Sequence, residues 1–253
     1  MLAMLKRFLA LIFKISEKPP VIISEPKPTS IPIPDIIIPE TPPVEIKPPA
    51  PIEPPKPVEP TGLIDPGLKP VEIFHNKALP LVLVFEGEYD DNPNDYGGRT
   101  MKGITQREYD KYLGKKGLPG RHVKLILDEE VKDIYFKDYW LASKCDFMSE
   151  KLAICVFDTS VNNGQGRSIK ILQKSIGAKV DGIIGQETIE KLRLQDPVKI
   201  ANTFMDFREK KYRDIVAADS TQVEFLDGWL RRALMVRAFI NGTKTVEQIR
   251  KEW

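Results

Sequence analysis

The sequence predicts a mainly α-helical folded unit that contains one small β-hairpin and follows a Pro-rich extended segment. Sixteen of the 22 prolines lie in residues 19–60, which separates this segment from the rest of the 253-residue chain. From Val71 onward, apolar residues recur at three- and four-residue spacing, which is the pattern of amphipathic helices. Residues 87–105 interrupt this pattern with a dense run of Gly, Asp and Asn, which favours turns and a hairpin.

Residues 1–18 are predicted to form a short amphipathic helix. The uncharged tract after Arg7 is six residues long, far below the about 20 residues that a membrane span needs. It is also short for a signal peptide, and no Ala-x-Ala-like cleavage site follows it. We expect residues 1–15, which are basic and amphipathic, to contact a membrane surface. The alternative is a frayed helix with no membrane role.

Residues 19–70 are predicted to form a linker. Proline lacks the N–H group that helices and strands use, and it drives the preceding residue toward extended geometry. The Pro-rich part is therefore expected to be a semi-rigid polyproline II spacer. A PxxP ligand for a partner protein is the alternative interpretation, although such repeats arise in any Pro-rich spacer.

Capping residues predict where several helices begin. Thr105-x-x-Glu108 is a capping box, Asp128 and Ser149 are candidate N-caps, and Asp196 precedes a proline at a first helical position. Apolar spacing predicts further helices over about residues 71–86 (with a kink at Pro80), 167–175, 186–193, 225–239 and 245–252.

Composition excludes several function classes. The chain has 38 Lys and Arg against 36 Asp and Glu, whereas a nucleic-acid binder normally has a strong basic excess, so we expect no nucleic-acid partner. His75 and His122 are far apart and near no cysteine cluster, which argues against a zinc site. Cys145 and Cys155 suit either a disulfide or two buried thiols.

The motif that carries chemistry is Glu86 with the polar segment after it, EGEYDDNPNDYGGRTMKGIT. A calcium loop that starts at Asp90 is excluded, because its sixth residue is Asp95 instead of glycine and its twelfth is Met101 instead of glutamate. Glu86 is expected at the end of an apolar helix and Asp95 in a polar turn. Two carboxylates in contrasting environments are what glycoside hydrolysis requires. The alternative is an ordinary solvated turn.

This motif resembles the Glu-Gly-Gly-Tyr signature of glycoside hydrolase family 108, the N-acetylmuramidases of phage endolysins and bacterial relatives. The family pattern is EGGY, a few residues, and then DP-x-D-x-GG-x-T-x-x-GIT. The positions that agree are Glu86, Gly87, Tyr89, Pro93, Asp95, Gly97, Gly98, Thr100, Gly103, Ile104 and Thr105. The chain departs at Glu88, where the family has glycine, and at Asn92, where aspartate is common. The second departure makes Asp95 the better second carboxylate.

The resemblance continues into the companion region of the family, which is described as peptidoglycan-binding. The matching positions are Tyr139, Trp140, Phe157, Asp158, Val161, Asn162, Asn163, Gly164, Leu172, Gln173, Asp181, Gly182, Gly185 and Thr188. The resemblance implies a lysozyme-like fold of two lobes, with a catalytic lobe at residues 71–144 and a helical second lobe at residues 145–253.

The resemblance also implies an activity, cleavage of the β-1,4 bond between N-acetylmuramic acid and N-acetylglucosamine. The implied catalytic residues are Glu86 as general acid, Asp95 as second carboxylate and Thr100 as the residue that places a water, and the implied substrate-binding residues are Tyr89, Tyr96 and Thr105. The implied partner is the peptidoglycan glycan strand, with no cofactor or metal. The implied location faces the cell wall, in the periplasm of an infected or producing bacterium, either membrane-tethered or virion-associated.

Two other functions remain open. A lytic transglycosylase also uses one glutamate but releases an anhydro-muramyl product. A wall-binding or virion structural protein with a decayed lytic site is the second alternative, because Glu88 adds a negative charge beside Glu86.

Residues outside the motif have structural interpretations. Arg231 and Arg232 are expected on a helix surface, where they could also meet the carboxylates of muramyl peptides. Asp158 lies on an apolar helix and, if it is buried, it needs a partner such as Arg167 or an amide.

Overall fold

The computed structural model describes residues 69–91 and 98–253. The predicted amphipathic helix at residues 1–18 lies outside the described residues, and so does the predicted linker except for its last two residues. Asp95 and Tyr96 of the predicted site also lie outside them.

The described residues form a mainly α-helical structure with a two-stranded antiparallel hairpin, which confirms the predicted fold class. The regular elements are α1 (Pro70–Ile73), α2 (Leu79–Glu86), β1 (Thr100–Met101), β2 (Ile104–Thr105), α3 (Gln106–Lys115), α4 (Asp128–Tyr135), α5 (Glu150–Asn163), α6 (Gln165–Ser175), α7 (Gln186–Arg193), α8 (Pro197–Ala218), α9 (Val223–Ile240) and α10 (Val246–Glu252). π-Helical segments follow α1 (Phe74–Ala78) and α4 (Phe136–Leu141), and short 3-10 helices lie at Val123–Leu125, Cys145–Phe147 and Ser220–Gln222. In this part of the chain, no helix is both long and apolar enough to cross a membrane.

The first helical stretch runs through α1, a π-helical segment and α2 without a break. Pro80 has no N–H to donate to the carbonyl four residues before it, so the regular α-helical ladder cannot pass through this position. A π-helical segment, Phe74–Ala78, lies just before α2, and the predicted kink at Pro80 stays a prediction. Gly87, with φ of 67°, ends α2.

Helix α5 is the centre of the molecule. Every residue from Leu152 to Asn163 is buried, as expected for a helix that is covered on all sides. It packs against the first π-helical segment and against α6, α8 and α9. The helix begins after Ser149, as predicted, and ends at Gly164, which has φ of 84°.

The predicted hairpin is short and tightly turned. Met101 pairs with Ile104, so Lys102 and Gly103 alone form the turn. Both have positive φ, 49° and 80°, which is the type I′ geometry that matches the twist of a two-residue hairpin.

Three of the four predicted caps, Thr105, Ser149 and Asp196, lie at N-cap positions, but the Ser149 hydroxyl makes no capping hydrogen bond. The Thr105 capping box starts α3, and Asp196 caps α8 through the N–H groups of Val198 and Lys199. The N-cap of α4 is Leu127 instead of the predicted Asp128, because Glu130 accepts the Leu127 N–H at 2.9 Å. The Asp128 carboxylate pairs with Lys102 instead.

Of the two alternatives for the cysteines, the structure shows the buried thiols. Cys145 and Cys155 are free buried thiols, and burial raises the pKa of Cys155 to about 12. The helices predicted from apolar spacing in the second half of the chain correspond to α6, α7, α9 and α10.

Candidate active site

Glu86 is the last residue of α2 and is only 7% exposed. The residue before it, Phe85, is fully buried, and Gly87 turns the chain away immediately after it. The carboxyl group is therefore held at the end of an apolar helix, where the sequence predicted it.

The hairpin turn covers one side of this carboxyl group. A Cβ atom at Gly103 would lie 2.8 Å from Oε2 of Glu86 and 2.6 Å from the hydroxyl of Tyr135. Both distances are shorter than any real Cβ contact, so the close approach requires glycine. The Tyr135 hydroxyl donates to the Lys102 carbonyl at 2.7 Å, and Lys102 Nζ lies 2.6 Å from Asp128 Oδ1. These contacts hold the turn against Glu86.

The other carboxyl oxygen of Glu86 faces a buried arginine. Oε1 lies 2.8 Å from Nη1 of Arg232, whose side chain is fully buried. The guanidinium also lies over the ring of Phe85, at 4.8 Å from the ring centroid. The prediction that Arg232 lies on a helix surface is wrong, because packing of α9 against the core encloses it. Arg231 is exposed, as predicted.

Arg232 belongs to a chain of buried polar side chains. Its Nε and Nη2 lie 3.0 and 2.9 Å from Oδ1 of Asp158. The other oxygen of Asp158 lies 2.6 Å from Nη1 of Arg208. Arg208 Nε donates to the Tyr212 hydroxyl at 2.7 Å, and that hydroxyl donates to Asn162 Oδ1 at 2.8 Å. The buried Asp158 therefore has partners other than the Arg167 or amide that the sequence suggested.

The ion pairs shift the proton affinities of this network. Burial alone raises the pKa of an aspartate, but the guanidinium groups of Arg232 and Arg208 outweigh it, and the pKa of Asp158 is lowered. Burial alone lowers the pKa of an arginine, yet Asp158 and Glu86 hold the pKa of Arg232 above its usual value. Burial, with the nearby Glu86, raises the pKa of Tyr135, so its hydroxyl stays a donor.

Tyr89 lies in a partly exposed polar cluster beside the motif. Its ring centroid is 6.0 Å from that of His122, and Lys124 Nζ lies 5.0 Å from the ring centroid. Its hydroxyl donates to Asp91 at 3.1 Å, and Arg99 pairs with the same carboxylate at 3.3 Å. The contacts with residues 122 and 124 were not predicted from the sequence.

The two predicted threonines have clear structural surroundings. Thr100 is fully buried in β1, and its backbone exchanges two hydrogen bonds of 2.9 Å with Asp90. The Thr105 hydroxyl donates to Glu108 Oε2 at 2.8 Å and accepts the Glu108 N–H at 3.2 Å. Capping thus accounts for Thr105 without a ligand, and the roles of both residues toward substrate stay predictions.

Comparison with known families identifies this region. Residues 79–164 match the family described as Glycosyl hydrolase 108, and residues 167–234 match the family described as Predicted Peptidoglycan domain. The chain carries a glycosyl hydrolase 108 domain. Glu86 lies within that domain, near its start, and the hairpin turn that covers Glu86 belongs to the same domain.

A solved structure supports the assignment. The chain is similar to the structure of Brucella abortus SagA, with 29% sequence identity and a TM-score of 0.55. The similarity covers 67% of this chain and 95% of the SagA chain. No curated protein matches the chain.

The buried network joins the two matched regions. Glu86 and Asp158 lie in the glycosyl hydrolase 108 domain, whereas Arg208 and Arg232 lie in the predicted peptidoglycan domain. Each region therefore supplies charges of one sign to the same buried cluster. Among the described residues, no group of three or more His, Cys, Asp or Glu is arranged to hold a metal ion.

The sequence contains one signal that Arg232 is buried. Arg232 lies three residues after Trp229 and four before Val236, and all three are buried. An arginine inside the apolar stripe of a helix indicates a buried charge that needs a partner. The stripe does not indicate which carboxylate is that partner.

Proposed function

We propose that this chain is a peptidoglycan hydrolase of the N-acetylmuramidase type, which cleaves the β-1,4 bond between N-acetylmuramic acid and N-acetylglucosamine. The observation that carries the proposal is the environment of Glu86. Its carboxyl group lies in a glycosyl hydrolase 108 domain with one oxygen on a buried arginine and the other under a glycine turn. The predicted peptidoglycan domain that follows supports peptidoglycan as the substrate.

Glu86 acts as the general acid in this proposal. A protonated carboxyl carries its proton on one oxygen only, so one oxygen of Glu86 can face Arg232 at 2.8 Å while the other delivers a proton. The proton goes to the glycosidic oxygen as the bond to the sugar C1 breaks, which leaves an oxocarbenium-like centre. General acid catalysis of this kind contributes about 10²–10⁴-fold in rate.

Asp95 is the proposed second carboxylate, which either stabilises the oxocarbenium-like centre or activates a water that Thr100 places. A carboxyl separation of about 5–5.5 Å corresponds to retention and about 6.5–9.5 Å to inversion. Tyr89, Tyr96 and Thr105 are the proposed contacts with the sugar chain. The proposed lobes, residues 71–144 and 145–253, form two walls of one cleft.

The proposed partner is the peptidoglycan glycan strand, without a nucleic-acid partner. The proposed location faces the cell wall, in the periplasm of an infected or producing bacterium. Phage endolysin and virion-associated lysin are the proposed biological roles, with contact between residues 1–15 and a membrane surface as the tether.

The test of Glu86 is its replacement by glutamine in the full chain. Glu86→Gln keeps size and hydrogen bonding but cannot deliver the proton, so release of reducing ends from purified sacculi should fall by at least about a hundredfold. Loss of the carboxyl group opposite Arg232 should also reduce the free energy of unfolding by about 1–3 kcal/mol, and circular dichroism checks that the variant is folded.

Glu88→Gln is the matched control, because Glu88 is an exposed carboxylate two residues away, and it should keep the wild-type rate. A wild-type rate for Glu86→Gln would refute the assignment of the acid. Mass spectrometry of the products of the wild-type protein separates hydrolysis from transglycosylation, because a hydrolysed product is heavier by one water than the anhydro-muramyl product. Binding to sacculi without new reducing ends would indicate a wall-binding protein instead.

A further inference from the structure

The buried network around Glu86 contains two carboxyl groups and two guanidinium groups. Asp158, Arg208 and Arg232 are fully buried and Glu86 is 7% exposed. Of the two arginines, only Arg232 contacts Glu86. Arg208 contacts Oδ2 of Asp158, whereas Arg232 contacts Oδ1. The two arginines therefore have the same burial and share one partner, but they differ in their relation to the proposed acid.

We propose that Arg232 is a positioning residue for Glu86, supplied to the active site by the region that matches a peptidoglycan domain. The inference rests on the proposed function of Glu86 and extends it. It gives a region whose family description concerns peptidoglycan alone an indirect part in the chemical step, through the position of Glu86.

Arg232 distinguishes the two oxygens of the Glu86 carboxyl group. Nη1 of Arg232 lies 2.8 Å from Oε1, and a guanidinium nitrogen is always a donor. Because Oε1 lies against this cation, the proposal places the acidic proton of Glu86 on the other oxygen, Oε2. That oxygen lies on the side of the Gly103 turn. Arg232 thus decides from which oxygen the proton leaves.

The direction of this contact is fixed by further contacts of Arg232. Its Nε and Nη2 both lie within 3.0 Å of Asp158 Oδ1, and its plane lies over the Phe85 ring. Because a guanidinium is planar and rigid, these two contacts fix where Nη1 points. Arg208 in turn holds the other oxygen of Asp158 at 2.6 Å.

Glu86 needs such an anchor because of its place in the chain. It is the last residue of α2 and precedes Gly87, the residue with positive φ that ends the helix. A glutamate has three side-chain torsions, and without a partner its carboxyl group would sample several orientations. A displacement of about 1 Å in a reacting group costs on the order of a hundredfold in rate.

The test compares kcat and KM of four full-chain variants on purified sacculi. Arg232→Met should lower kcat by about a hundredfold with KM changed less than about threefold, because the proton donor is misplaced while the sugar contacts remain. Arg232→Lys, which keeps the charge but cannot span both carboxylates, should retain more activity than Arg232→Met but remain well below wild type.

Two arginines serve as controls. Arg208→Met removes an equally buried partner of Asp158, so it should destabilise the fold as much as Arg232→Met but lose much less kcat. Arg237→Met changes an arginine of the same helix that pairs with Asp206 and Glu209, and it should keep the wild-type kcat. Equal kcat losses for Arg208→Met and Arg232→Met would overturn the inference, since a purely structural role predicts equality.

The combination of Glu86→Gln with Arg232→Met gives a second readout. If Arg232 acts through Glu86, adding Arg232→Met to Glu86→Gln should cause little further loss of kcat. Additive losses would overturn the inference. If Arg232→Met does not fold, Arg232→Lys is used in the same combination with the same two outcomes. A wild-type rate for Glu86→Gln would instead refute the proposed function, so the two failures are distinguishable.

Discussion

Gly103 is the residue on which the geometry around Glu86 depends most directly. It combines a positive φ of 80° with a position at which an added Cβ would lie 2.8 Å from the Glu86 carboxyl group. Any side chain at this position would clash with both the Glu86 carboxyl group and the Tyr135 hydroxyl. The site therefore tolerates neither a different turn type nor a different residue at this point.

We expect Gly103→Ala to lower the rate of sacculus digestion by about a hundredfold, because the added Cβ pushes the Glu86 carboxyl from its position. The left-handed backbone conformation at residue 103 should also reduce the free energy of unfolding by about 1–2 kcal/mol when the residue is alanine. Gly98→Ala is the matched control, since Gly98 has φ of 64° but nothing within 4 Å of the added carbon. It should show the stability loss without the large loss of rate, measured by urea unfolding and reducing-end release. Equal rates for the two variants would contradict this account.

At the scale of elements, the hairpin and α3 act as one unit. Thr105 is both the last residue of β2 and the N-cap of α3. Its capping box with Glu108 therefore links the strand that follows the Gly103 turn to a packed helix. Loss of the cap should loosen the hairpin as well as the helix.

We expect Thr105→Ala to reduce the free energy of unfolding by about 1 kcal/mol, the usual value of an N-cap, and to lower the hydrolysis rate several-fold. Thr245→Ala is the control, because Thr245 forms the same capping box with Gln248 at the start of α10. It should cost similar stability and leave the rate unchanged. A rise in KM specific to Thr105→Ala would favour the predicted contact between Thr105 and the substrate. Unchanged rates for both variants would contradict the coupling of cap and site.

At the scale of the whole molecule, buried ion pairs join the region that matches the glycosyl hydrolase family to the region that matches the peptidoglycan family. Asp158 lies on the central helix α5 and receives one arginine from α8 and one from α9. Breaking a buried ion pair by removing one partner costs about 3–5 kcal/mol, because a charge is left uncompensated in the interior. The three helices are therefore expected to unfold together.

This network makes stability depend on pH. The pKa of Asp158 is lowered in the folded state, so its contribution is complete above the unfolded pKa of about 3.9 and is lost as pH falls through the lower folded pKa. We expect Asp158→Asn to cost about 3–5 kcal/mol at pH 7, and the difference from wild type to shrink as the pH falls below about 4. Urea unfolding from pH 7 to pH 2 measures it. Asp227→Asn, an exposed position on α9, should show no such trend, and a constant difference for Asp158→Asn would refute the assignment.

We also expect the N-terminal segment to localise the enzyme without contributing to the chemistry. A chain that begins at Gly67 should digest purified sacculi at the full rate but should no longer bind anionic lipid vesicles, because it lacks the basic and apolar residues 1–15. Vesicle co-sedimentation and reducing-end release measure the two effects. Equal binding of both chains to vesicles would contradict the tether.

Local chemistry explains what the sequence alone determined. Helix starts such as Thr105 and Asp196, the hairpin, and the place of Glu86 at a helix end all depend on neighbours within a few residues. Capping, turn dihedrals and apolar spacing act over that distance, so they are readable without a fold. The exception is the cap of α4. Its N-cap is Leu127, one residue before the predicted Asp128, and the Leu127 N–H donates to the Glu130 side chain.

Only the tertiary structure decided which charges meet. Asp158 and Arg232 are 74 positions apart, and they meet because α9 packs against α5. An apolar stripe indicates which face of a helix is buried, but the partner of a charge on that face depends on the rotation and register of another helix. For the same reason Arg232, expected on the surface, is the buried residue that contacts the Glu86 carboxyl group.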